Sequence, residues 1–158
     1  MHALPNSTSL RQRIAQEAQA LGFSDVRIGP ASIPDASRAE LDAWLTAGYH
    51  GTMEYMARHS NLRKDPTQLV TGALSVISVR LPYWPAGATH ADTQLANPEG
   101  AYISRYALGR DYHKVIRNRL QKLAEQLAVK LGPLGNRAFT DSAPVLEAEL
   151  AARSGQGW

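Results

Sequence analysis

The chain has 158 residues, the size of one ordinary domain, and is long enough to bury a core without metal or disulfide staples. Hydrophobic residues make up 44% and charged residues 20%, proportions that exclude a disordered segment. The lack of cysteine excludes disulfides, thiolate-bound metal and cysteine-ligated iron–sulfur clusters within these residues, and a net charge of +3 permits nucleic-acid contact without arguing for it.

Ser7, Thr8 or Ser9 can cap a first helix, along which Leu10, Ile14, Ala18 and Leu21 recur at helical spacing until Gly22 stops it. Val26 and Ile28 alternate in a short strand over 23–29. A second helix starts at Asp35 or Ser37, carries Leu41, Trp44 and Leu45, and ends at Gly48; a third runs from about Met53 to Arg58. Residues 61–66 read as a polar loop holding Arg63, Lys64 and Asp65, and Pro66 opens a brief helix through Leu69. Residues 74–81 form the best strand pattern in the chain, with a central place in a sheet. Residues 85–98 read as a loop or flap, and 101–106 as a strand or extended segment. Ile116, Leu120, Leu123, Leu127 and Leu131 stripe a strong helix over 113–131, with Asp111 near its start. A short strand at 138–140 and a last helix from about Pro144 to Arg153 complete the order. Helices interleaved with short strands predict an α/β or α+β fold, a small mixed sheet flanked by helices, in one domain over 1–158.

Two polar clusters exceed what a packed core requires: Tyr102 to Tyr106 running into Gly109 to His113, and Phe139 to Glu147. Asp141, at an expected strand-to-helix junction, either donates a proton to a ligand or caps the last helix. The two roles conflict, because a helix N-terminus stabilises the carboxylate whereas a donor near neutral pH must be desolvated. Arg63 is a ligand-facing group or a solvated one. Arg105 and Arg110, flanking Tyr106, can hold a phosphate or a flat polar ring, or pair with Asp111. Lys114, Arg117, Arg119 and Lys122 form a basic helix face that is either solvated or bound to nucleic acid. The histidines, at 2, 50, 59, 90 and 113, make no paired metal spacing, and GxGxxG, GxxxxGK[ST] and GxSxG motifs are all missing. There is no apolar run of the ~18 residues a membrane span needs, and no secretory signal opens the chain, so a cytoplasmic protein without membrane contact is expected.

The texts GYHGTMEYMARHSNLRKDP (48–66), LSVISVRLPY (74–83), YISRYALGRDYHKVIRNRL (102–120), FTDSAPVLE (139–147) and GQGW (155–158) resemble the N-terminal half of epoxyqueuosine reductases, and the first 47 residues fit the same family more loosely. The resemblance implies reduction of epoxyqueuosine to queuosine in tRNA. It also implies cobalamin in an N-terminal domain, two [4Fe-4S] clusters in a later ferredoxin-like domain, an external electron donor and a monomer. By the same resemblance Asp141 is the proton donor. Arg63, Ser104, Leu146, Glu147 and Ala148 line the cobalamin, and Arg105, Tyr106 and His113 match the family text. Ala148 stands where relatives usually carry Arg.

Because the chain stops at a turn-like GQGW and has no cysteine, the expectation is a truncated cobalamin-binding domain without its iron–sulfur domain or its own electron supply. The alternatives are a non-catalytic cobalamin-binding module and a tRNA-binding remnant using the face from Lys114 to Lys122.

Overall fold

The computed structural model describes the backbone of residues 7–157 and the side chains of residues 9–157. The capping side chains expected at Ser7 or Thr8, His2, and Trp158 of the closing turn lie outside the described side chains. The elements run α1 (Ser7–Ala20), β1 (Asp25–Pro30), α2 (Asp35–Thr46), α3 (Glu54–Arg58), α4 (Ser60–Lys64), β2 (Ser75–Arg80), α5 (Ala91–Leu95), α6 (Tyr112–Leu131) and α7 (Glu147–Arg153). Short 3-10 turns cover Pro66–Gln68 and Arg105–Ala107.

The described residues hold one sheet of two antiparallel strands, with Val26 opposite Val79 and Ile28 opposite Ile77. The helical stripes read from the sequence close the core against this strand pair. Ile14 and Ala18 of α1, Phe23 of the following turn, and Leu123 and Leu127 of α6 are buried together. Val26, Ile28, Val79 and Leu81 pack against them. Burying such side chains contributes roughly 1.5–3 kcal/mol each before chain entropy is counted. Gly22 turns the chain out of α1 at φ +85°, and the Arg119 guanidinium of α6 lies over it so closely that a Cβ would sit 2.8 Å from a nitrogen.

The last helix docks on the other end of β1. Leu150 is buried, a Cβ on Gly29 would lie 3.1 Å from that of Ser154, and Arg153 donates to the Ser32 carbonyl. The Ser37 hydroxyl donates to Glu149 at 2.8 Å. With α6 fixed on α1 and α7 fixed on β1 and α2, the stretch 132–146 is strung between two anchored helices. That suspension places Asp141.

Several expected elements differ. Residues 60–64 are a helical turn rather than a polar loop, because Arg63 folds inward and is 7% exposed. The expected flap over 85–98 contains α5, which the His90 ring nitrogen caps by accepting from the Asp92 N–H. Residues 101–106 form no strand and end in a 3-10 turn. β2 has one strand partner among the described residues instead of a central place, and Leu74 and Ile77 stay exposed. Residues 138–140 are irregular, since among the described residues no strand lies alongside to accept their backbone bonds. The last helix begins at Glu147, three residues later than Pro144.

Candidate functional site

The late start of α7 resolves the conflict over Asp141. The N-cap of α7 is Leu146, so Asp141 lies outside the helix and its carboxylate caps nothing. It sits instead in the left-handed backbone region at φ 53°, the only non-glycine residue there among the described residues. Asp tolerates that conformation better than most side chains.

Two bonds hold it. The Tyr112 hydroxyl donates to Asp141 Oδ2 at 2.5 Å, and the Asp141 backbone N–H donates to Glu147 Oε1 at 3.2 Å. One anchor stands at the first residue of α6 and the other at the first residue of α7. The phenol's bond to Asp141 and that carboxylate's charge push the Tyr112 pKa up to about 12. Glu147 is exposed overall, but the crowding of its carboxyl raises its pKa, aided by the nearby Asp141 charge and opposed by the Asp141 N–H.

His113 completes the cluster. Asp111 caps α6 by accepting from the His113 N–H at 3.0 Å. The same oxygen meets His113 Nδ1 at 2.9 Å, and hydrogen bonding to His113 holds Asp111 below the usual carboxylate range. The other ring nitrogen, Nε2, lies 3.7 Å from Asp141 Oδ2, an electrostatic contact longer than a hydrogen bond. The imidazole stacks on Tyr112 at 4.0 Å, and Tyr106 meets Tyr112 edge-on at 5.7 Å. An Asp111–His113–Asp141 line of this kind turns the imidazole toward Asp141.

Asp141 is 51% exposed. Two surface clefts of about 410 and 430 Å³ lie elsewhere, one lined by Arg38, Asp42, Asn61, Lys64, Asp65 and Gln68, the other along α6. Neither includes Asp141, which stands on an open face.

Of the residues singled out from the sequence, the structure brings Asp141, Glu147 and Tyr106 into one cluster. Leu146 adjoins it as the N-cap of α7, and Ala148 is exposed on that helix's first turn. Arg63 contacts the Tyr55 ring at 5.9 Å, and its buried Nε has no partner among the described residues. Ser104 is exposed at the head of its 3-10 turn. Arg105 lies over the Trp84 ring at 4.0 Å, not in an ion pair with Asp111. Sequence reasoning gave Tyr112 no specific role and missed Thr140, which is 7% exposed with an unpartnered hydroxyl. The signal for Tyr112 was its place directly after the capping Asp111.

The fold is that of solved epoxyqueuosine reductases. The selenomethionine-labelled crystal structure of one matches with a TM-score of 0.76 at 22% identity, over 95% of this chain and 39% of that one. Another, solved with a tRNA-Tyr epoxyqueuosine-modified tRNA stem loop, matches at 0.74 and 22%, over 94% and 39%. Residues 63–142 match the family model described as Epoxyqueuosine reductase QueG, DUF1730, and the chain belongs to that family. The curated epoxyqueuosine reductase of Pseudomonas aeruginosa is 51% identical over 154 residues, 98% of this chain and 42% of the relative. That of Escherichia coli K12 is 50% identical over 149 residues, 94% and 39%. The chain thus spans about two-fifths of the length of the curated relatives it matches.

Proposed function

We propose that this chain supplies the proton-donating carboxyl and part of the cobalamin-binding surface of an enzyme that reduces epoxyqueuosine to queuosine in tRNA. Family membership supports the reading, as does the tRNA stem loop held by a relative of the same fold. The observation that carries it is the two-point suspension of Asp141 on an open face.

The residues present suit a large ligand with apolar faces and polar edges. Tyr106 is exposed beside the clamp, while Thr140 Oγ1 and Arg63 Nε are buried and unpartnered. Thr140, Tyr106 and the stretch Leu146–Glu147–Ala148 would hold cobalamin from the clamp side, and Arg63 and Ser104 from α4 and the 3-10 turn. When bound, the cobalt supplies the electrons that open the epoxide. Removing the epoxide oxygen as water consumes two electrons and two protons.

The chain's own groups handle those protons. A bulky ligand over the open face would strip water from Asp141, the setting a proton donor needs. Asp141 hands its proton to the departing oxygen, and His113, oriented by Asp111, restores it. The [4Fe-4S] clusters have no ligands here, since the chain has no cysteine. A monomer in the cytoplasm fits this reading. Among the described residues no helix is long and apolar enough to cross a membrane.

Visible spectroscopy tests the binding half. Adding the chain to cobalamin is expected to shift the corrin bands with saturation, equally for wild type and Asp141→Asn. Spectra that do not move would remove the cobalamin assignment.

A further inference from the structure

The cleft along α6 differs from the other one described, where Arg38 and Lys64 face as many carboxylates in Asp42 and Asp65. Arg110, Lys114, Arg119 and Lys122 line its 430 Å³ with Asn118 and Val115, and Asp111 is the one carboxylate. That local surplus equals the +3 net charge of the whole chain. Asp111 is engaged by His113. Among the described residues none of the four cations, nor the neighbouring Arg117, has a carboxylate within ion-pairing distance. Four cations elsewhere do pair: Lys64 with Asp42, Arg27 with Asp25, Arg38 with Asp35, and Lys130 of the same helix with Glu17.

The spacing is ordered. Lys114, Asn118 and Lys122 stand four residues apart on one helix face, so their attachment points repeat every ~6 Å along the axis. That repeat is comparable with the separation of neighbouring phosphates on one nucleic-acid strand. Arg119 flanks the row, steadied over Gly22, and Arg110 heads it. The head of the row adjoins Asp111 and His113, and His113 reaches Asp141.

We propose that this cleft binds the phosphate backbone of an RNA stem or strand and leads it toward Asp141. The direction toward Asp141 rests on the function proposed above; the phosphate binding rests on the unpaired cations alone. A solvated helix face would ordinarily intersperse both signs, and this one does not.

The test is fluorescence anisotropy of a labelled, unmodified RNA hairpin titrated with this chain without cofactor, across a range of potassium chloride. Binding is expected to fall steeply with salt. Lys114→Ala/Lys122→Ala should weaken it by about tenfold or more and reduce the log–log salt slope by roughly 0.7–0.9 per lysine. Lys130→Ala, about two turns further along and paired with Glu17, should change neither. Both variants alter exposed side chains, and unchanged circular dichroism confirms their folds. A double variant that binds like wild type overturns the proposal. So does binding to phosphatidylserine vesicles with none to the hairpin. Asp141→Asn should bind the hairpin normally, so loss of reduction with RNA binding intact touches the catalytic reading alone. Intact reduction with no lysine dependence touches the groove alone.

Discussion

Asp141 is held in an unfavourable backbone region by Tyr112 on its side chain and Glu147 on its amide. The two anchors pull on different atoms, so the backbone bond can persist while the carboxyl changes protonation. Glu147 has a consequence for stability. Its pKa is raised above 4.5 in the folded chain, first by desolvation and then by Asp141. The folded state therefore binds that proton more tightly than the unfolded state. Its contribution is full below 4.5 and is lost as pH rises through the higher folded value. Glu147→Gln keeps an acceptor oxygen for the Asp141 N–H and removes the charge. Urea unfolding should show the variant gaining stability relative to wild type between pH 4 and pH 7; a difference independent of pH, or of opposite sign, would contradict the cause assigned. The setting of Asp141 among polar residues marked it as a candidate. Its bond to Tyr112 was not legible, because a contact across 29 positions leaves no local pattern.

At the scale of elements, α6 joins the fold to the site. Its apolar stripe packs on α1, its first residue holds Asp141, and its opposite face carries the unpaired cations. Periodicity made this helix legible to within a residue at its start, and likewise the Ile14–Ala18 stripe and the strand at 75–80. Elements that depend on remote partners were not legible. The stretch Ala138–Phe139–Thr140 has no neighbouring strand among the described residues, and Arg63 is buried by packing that a polar local sequence conceals. The start of α7 was displaced because Pro144 marks a possible helix opening, whereas the helix waits for Glu147. If α6 orients the clamp through its packing, loosening that packing should reach the site. Leu127→Ala, at a residue 4% exposed, is expected to lower stability by about 2–5 kcal/mol in urea unfolding. A loss below 1 kcal/mol would mean that the α1–α6 contact is not the core it is taken to be.

Across the whole molecule, a small two-stranded sheet and a few anchored helices present three features in sequence along one surface. These are the suspended acid, the imidazole beside it and the basic row leading away. The open setting of Asp141 means that the bound ligand, rather than the resting protein, must supply the desolvation a proton donor needs. Motif text made the family legible, and two of its segments, GRDYH and DSAP, sit in the same cluster in space. The most direct measurement is single-turnover reduction of epoxyqueuosine-bearing RNA, with chemically reduced cobalamin, by wild type and Asp141→Asn in the protein that carries these residues. The expected result is a rate lower by about 10² or more in the variant, with cobalamin and RNA binding retained. Equal rates would contradict the role of Asp141 as the group that protonates the departing oxygen.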